Sequence, residues 1–214
     1  MGRSHGLIVI PAYNEQKTLQ EIIIKCLDLK NWDVLVVNDA STDNTGLIAK
    51  EHPVDLIENY TNLGYEASIN IGYKFAISKK YNYLSFLDAD GEHNPDCLID
   101  FEFEKETPLI KIGIRSWHNR PGERIAGFLS SYLHGIIDPY CGLKSYNLKA
   151  LKNRSFKSLP GDKIGIALAL EIKKSYGKDY IENIKIFGTR RRGNSRFSNS
   201  SLSTNIIFIK NILF

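Results

Sequence analysis

Cysteine is scarce and poorly spaced for chemistry. Cys26, Cys97 and Cys141 are odd in number, far apart and without a CxxC pair, which excludes a zinc ribbon and a disulfide framework and suits a reducing, cytoplasmic setting. The GxxxxGK[ST] and GxGxxG fingerprints are absent, so P-loop and dinucleotide chemistry are excluded, and no internal repeat occurs. No uninterrupted apolar run reaches the ~18 residues of a membrane-spanning helix. The run at residues 7–10 is too short for a secretory signal and is followed by Pro11, and Gly6 stands where a myristoylation signal has Ser or Thr. Neither signal is expected. Charge of one sign is in small surplus, a formal net charge of +4, and it is local, with Arg190, Arg191, Arg192 and Arg196 close together. That points to a phosphate or membrane-surface contact and not to nucleic-acid coating.

What is present suits one sizeable α/β domain. The chain has 214 residues, 43% hydrophobic and 24% charged, enough to bury a core. Apolar runs at 7–12 and 33–37, a weaker one at 54–57, and others at 83–87, 109–114 and 180–187 read as strands. Helices are expected between them: from Asn14 to about residue 29, a short one to about 50, at 65–80 with Ala67, Ile71 and Phe75 inward, after Pro95 to about 106, and at 162–176. This alternation predicts a mostly parallel sheet flanked by helices, with ligands at the carboxyl ends of its strands. Ile125, Phe128, Leu129, Tyr132, Leu133 and Ile136 follow a helical stripe whose expected role is core packing, with a membrane or partner face as the alternative. We expect the domain to span residues 1–196, followed at 197–214 by a Ser/Asn-rich linker and an apolar tail.

The chain is organised around residues 83–95, YLSFLDADGEHNP. A β-prone run ends in Asp88 and Asp90, which alternation would point to one side of a strand. Carboxylates held this close repel, so a site that keeps both ionised recruits a cation. The plain alternative is a polar turn. Asp39, at the end of the second strand, is a candidate for the same cleft.

Together VIPAYNE (9–15), VNDASTDNT (37–45), NLG (62–64) and FLDADGEHNP (86–95) resemble the family 2 glycosyltransferases of the GT-A fold. The resemblance implies a nucleotide-diphospho-sugar donor and a divalent metal, Mg²⁺ or Mn²⁺. It implies that Pro11, Ala12, Tyr13, Glu15, Asp39, Asn62, Gly64, Asp88 and Ala89 contact the nucleotide-sugar. Asp88 and Asp90 would hold the metal, with Glu92, which stands where the family carries Gln, as a third ligand.

In the second half, DPYCGLKSY (138–146) and FGTRRRGNSR (187–196) are similar to the D-x-x-S-G-F and R-x-x-G-x-S-K signatures of polyprenyl-phosphate sugar synthases such as the dolichyl-phosphate mannose type. Cys141 replaces Ser, Leu143 replaces Phe and Arg196 replaces Lys. This implies a polyprenyl phosphate acceptor at the cytoplasmic membrane face, oriented by Arg115, Arg124, Arg190, Ser195 and Arg196. Catalytic roles fall on Asp88, Asp90, Arg115, Asp138 and Arg190. An acceptor phosphate is already anionic and needs no general base, whereas a glycan hydroxyl, the alternative acceptor, would need Asp138 or Asp162 as one. Arg190–192 could instead be a solvated turn, and Arg115 and Arg124 surface residues. His93 and His118 read as loop or supporting residues, and Tyr60, Tyr65 and Tyr73 pack or touch the sugar. A sugar nucleotidyltransferase would show a Gly-rich loop where PAYNEQ stands, and a non-catalytic nucleotide-sugar module is the remaining class.

Overall fold

The strands are Gly6–Ala12 (β1), Trp32–Asn38 (β2), Asp55–Glu58 (β3), Tyr83–Phe86 (β4), Ile110–Ile114 (β5), Lys144–Asn147 (β6) and Ile181–Lys185 (β7). They form one sheet in the order β3-β2-β1-β4-β6-β5-β7. β1 lies parallel to β2 and β4, and β2 to β3, while β6 runs antiparallel to both β4 and β5 and β7 parallel to β5. This computed structural model describes residues 5–116, 121–152 and 164–187. The expectations for His118, Asp162, Arg190, Arg191, Arg192, Ser195, Arg196 and the 197–214 tail lie outside the described residues.

Alternation along β1 splits the core in two. Leu7 and Val9 join Leu35, Val37, Leu84 and Phe86 in a layer with Ile69 and Ala76, contributed by helix α3 (Tyr65–Ser78). Ile8 and Ile10 join Val34 and Val36 on the other face with Leu19, Ile22, Ile23 and Cys26, contributed by helix α1 (Leu19–Leu27). Burying such a side chain is worth about 1.5–3 kcal/mol, so a strand covered on both faces has no polar edge to spare. Among the described residues the other α-helices are α2 (Thr45–Lys50), α4 (Pro121–His134), α5 (Leu148–Lys152) and α6 (Ile166–Tyr176), and a 3-10 helix at Pro95–Phe101 stands in place of the longer helix expected there.

Three expectations are corrected. Asn14 does not cap α1; it lies at φ 56° and its side chain accepts from Thr42 N–H (2.8 Å), so the helix starts after Thr18. In α3 the buried ridge is Ser68, Ile69, Gly72 and Ala76, with Ala67, Ile71 and Phe75 half-buried. Gly72 sits where a Cβ would fall 2.4 Å from Val9 Cγ1, so the helix approaches β1 through its smallest residue. The stripe of α4 is divided: Ile125, Phe128, Tyr132 and Leu133 are exposed, whereas Leu129 is half-buried against Ala126, Ile136 is buried just beyond α4, and Gly122, Glu123, Gly127 and Ser130 share the buried face of the helix.

Candidate active site

The carboxyl ends of β1, β2 and β4 bring the PAYNE, NDASTDNT and DAD segments to one edge. Glu15 N–H donates to Thr45 Oγ1 (2.8 Å) and Asn14 N–H to Ser41 Oγ (3.0 Å), stitching the PAYNE turn to the loop after β2. Thr18 Oγ1 donates to the Ala89 carbonyl (2.6 Å) and so ties the start of α1 to the DAD turn. Pro11 and Ala12 close β1 as buried residues, and Tyr13 is half-buried beyond them.

Asp39 is 4% exposed and fully engaged. Its Oδ1 accepts from Asn59 Nδ2 (2.8 Å) and Leu63 N–H (2.9 Å), and its Oδ2 from Gly64 N–H (2.8 Å). The structure therefore gives it the task of folding the 59–64 loop, with Asn62 exposed on that loop. Gly64 at φ 88° is the position where the left-handed turn favours glycine.

β4 ends at Phe86, so strand alternation does not set the directions of Asp88 and Asp90. Asp90 is buried and its Oδ1 accepts from Glu92 N–H (2.9 Å). Asp88 is half-buried against Gly142, where a Cβ would fall 1.8 Å from its Oδ2. The Tyr65 hydroxyl hydrogen-bonds to Asp88, and desolvation followed by the Asp88 charge holds its pKa well above the ordinary phenol value. Glu92, expected as a third metal ligand, instead has its Oε2 4.0 Å from Arg115 Nη1. Among the described residues no three Asp, Glu, His or Cys are arranged to hold an ion. Two hard oxygen donors at a substrate edge still suit Mg²⁺ or Mn²⁺, which is commonly held by one or two carboxylates and completed by substrate phosphates. A closed, all-protein cage does not fit.

Arg115 leaves the end of β5 and turns inward. Its Nε and Nη2 donate to Asp138 Oδ2 (2.8 Å) and Oδ1 (3.0 Å), its backbone N–H to Oδ2 (3.2 Å), and Nη2 also to Glu123 Oε2 (3.3 Å). Arg115, Asp138, Glu123 and Glu92 are all buried, at 9%, 1%, 4% and 6% exposure. Burial alone would lower the guanidinium pKa, but the hydrogen bonds and charge of Asp138 outweigh it and raise it. The Asp138 carbonyl accepts from Cys141 N–H (3.3 Å), closing a turn that leads directly to Gly142. Burial and then Asp138 push the Cys141 thiol up to about 12. Lys144 donates to the Cys141 carbonyl, and burial lowers its pKa. His93 packs under this turn with Nε2 3.8 Å from Cys141 Sγ, its pKa lowered by burial against the pull of Asp88 and Glu92.

The described site therefore brings together Asp88, Ala89, Asp90, Glu92, Arg115 and Asp138. Arg124 is exposed on α4, in contrast to the buried Arg115. Sequence reasoning missed Glu123, which looks like an ordinary first-turn acid, and the place of Gly142, visible only as one letter of the 138–146 motif.

Comparison with known proteins agrees with this geometry. The family model for glycosyl transferase family 2 matches residues 7–108. A dolichyl-phosphate beta-glucosyltransferase of Trichomonas vaginalis is 32% identical over 180 residues, covering 68% of this chain and 54% of that protein. An undecaprenyl-phosphate mannosyltransferase of Micrococcus luteus is 26% identical over 211 residues, 90% of this chain and 87% of that one. The chain thus spans about half of the first relative and most of the second. Crystalline glucosyl-3-phosphoglycerate synthase from Mycobacterium tuberculosis, in complex with Mn²⁺, UDP and phosphoglyceric acid, superposes with a TM-score of 0.73 at 16% identity, over 99% of this chain and 76% of that one, which establishes the GT-A fold. With the motifs standing at the strand ends of that fold, the chain belongs to glycosyl transferase family 2.

Proposed function

We propose that the protein transfers a sugar, with inversion, from a nucleotide-diphospho-sugar to a polyprenyl phosphate at the cytoplasmic membrane face. The observation that carries this reading is the state of Asp138. A glycan hydroxyl must lose a proton to a base within reach, but Asp138 is 1% exposed and gripped on both oxygens by Arg115. A phosphate acceptor attacks as an anion and requires no such base. The acceptors named for the Trichomonas and Micrococcus relatives, dolichyl and undecaprenyl phosphate, are of this class. Asp88 and Asp90 would hold a divalent metal, which supplies Lewis-acid stabilisation of the leaving diphosphate. Pro11, Ala12, Tyr13, Glu15 and the loop folded by Asp39 would receive the nucleotide. Arg124 on α4, together with Arg190, Ser195 and Arg196, would orient the acceptor phosphate through guanidinium pairs. Residues 1–196 form the catalytic domain in this reading.

The outward face of α4 supports a peripheral contact with the bilayer. Ile125, Phe128, Tyr132 and Leu133 are exposed, and the acid of the helix, Glu123, is turned inward, leaving Arg124 as the exposed charge of the first turn. Apolar and aromatic side chains beside a cation suit an anionic lipid surface. Among the described residues no helix is long and apolar enough to cross a membrane. In sedimentation with anionic phospholipid vesicles, Phe128→Ser/Tyr132→Ser is expected to lose roughly tenfold or more in binding, because about 0.8 kcal/mol accompanies each buried CH₂. Equal sedimentation of wild type and variant removes α4 from the contact.

The decisive assay offers UDP-, GDP- and dTDP-sugars with Mn²⁺, with and without a short polyprenyl phosphate. Metal-dependent product that requires the lipid phosphate is the expected result. Donor hydrolysis without transfer moves the acceptor to a glycan, and the absence of both turnover and nucleotide binding defeats the proposal.

A further inference from the structure

Helix α4 is oriented against the usual rule. Ile125, Phe128, Tyr132 and Leu133 face outward, Leu129 is half-buried beside Ala126, and the fully buried face is made of Gly122, Glu123, Ala126, Gly127 and Ser130. Small residues allow a close approach, with a Cβ at Gly127 falling 3.0 Å from the Ile137 carbonyl, and they bury little apolar area of their own. On that face Glu123 makes a directional contact to Arg115 Nη2 at 3.3 Å. The same nitrogen donates to Asp138 Oδ1 at 3.0 Å, so Glu123 and Asp138 grip one end of the guanidinium from two elements. Asp138 starts the turn that closes on Cys141 and delivers Gly142 against Asp88. A continuous chain of contacts therefore runs from the first turn of α4 to the carboxylate at the head of the DAD turn.

We propose that Glu123 is a positioning residue for the transfer reaction, holding Arg115 so that the 138–142 turn stays seated on Asp88. It touches no reacting atom. Its part in turnover rests on the glycosyl transfer proposed above, whereas its hold on the turn does not. Removing it leaves Arg115 paired with Asp138, so the guanidinium is not orphaned and the fold should survive. What is lost is the second anchor that keeps the planar group in register with the turn.

Cys141 and Cys26 supply a readout independent of activity. Both are buried thiols, Cys141 inside the turn and Cys26 on the core-facing side of α1. In native-state labelling with a thiol reagent, Glu123→Ala is expected to speed modification of Cys141 about tenfold or more through local opening while Cys26 keeps its wild-type rate. Glu123→Gln keeps an oxygen acceptor for Nη2 and is expected to stay within about threefold of wild type. In the transfer assay Glu123→Ala should lower kcat by roughly tenfold or more at a donor KM changed less than about threefold, the pattern of a lost transition-state arrangement. An unchanged Cys141 rate overturns the proposal. So does parallel exposure of Cys26 and Cys141, which marks a general loss of stability, and so does a raised KM at unchanged kcat. If the wild type turns over no nucleotide-sugar, the functional reading fails on its own, and the labelling still decides whether Glu123 seats the turn.

Discussion

Replacing Asp88 by asparagine is expected to lower kcat by about a thousandfold, on the order of 4 kcal/mol in the barrier, with the fold intact. The amide is nearly isosteric with the carboxylate, so it fits the slot that Gly142 leaves open and can still accept from the Tyr65 hydroxyl. The charge is what disappears. In the proposed reaction a diphosphate gains negative charge as the glycosidic bond breaks, and the carboxylate is the hard donor that would hold the countering cation. Asp90→Asn makes a graded comparison, because its Oδ1 contact with Glu92 N–H survives as an amide oxygen and the turn is kept. Steady-state transfer with saturating Mn²⁺, paired with a thermal melt, measures both consequences. A kcat within tenfold of wild type and an unchanged melt would mean that Asp88 is a turn residue and the catalytic centre lies elsewhere.

The parts of this site that could be read in the sequence are those where one residue type at one strand end implies one chemistry. β1, β2 and β4 were legible because continuous apolar runs mark strands covered on both faces, and each ends in acids or cap residues. β6 was not. Lys144, Ser145, Tyr146 and Asn147 are all buried, yet they show neither an apolar run nor alternation. Their burial rests on long-range partners: the hydroxyls of Ser85 and Ser145 meet, and Tyr146 OH donates to the Ile164 carbonyl (3.0 Å). Asp39 was legible as an acid at a strand end, but the N–H donors that engage it lie more than twenty positions away. The helix at α4 was read correctly but its inward face only in part, since Leu129 and Ile136 turn inward while Ile125, Phe128, Tyr132 and Leu133 do not, because periodicity defines a stripe without saying which side faces the core. The buried face also carries the Glu123–Arg115 ion pair, and a single glutamate in a first turn gives no signal of such burial. The arginines, read as acceptor ligands, divide for the same reason. Arg115 and Arg124 look alike in a sequence, but one is enclosed by three carboxylates and the other is exposed.

Arg115→Met should therefore act first on stability. Methionine fills much of the same volume but leaves Asp138, Glu123 and Glu92 buried without the cation they share. Removing one partner of a buried ion pair costs about 3–5 kcal/mol, because the remaining charge has lost both water and its counterion. For a chain of this size that lowers Tm by roughly 10 °C. Arg115→Lys is expected to fall between, since an ammonium restores charge but cannot donate to both Asp138 oxygens and Glu123 in one plane. The exposed Lys50–Glu58 pair, at 2.7 Å, gives the contrast. Its geometry is good, but solvent screens it, and Lys50→Ala should cost no more than about 1 kcal/mol. A double variant, Arg115→Met/Asp138→Leu, removes the most deeply buried of the stranded carboxylates and should recover part of the loss, so the two changes are non-additive. Thermal melts of these four proteins decide the matter. If Arg115→Met melts with the wild type, the buried carboxylates are neutralised by another route, and Arg115 is free to serve the acceptor phosphate instead of the fold.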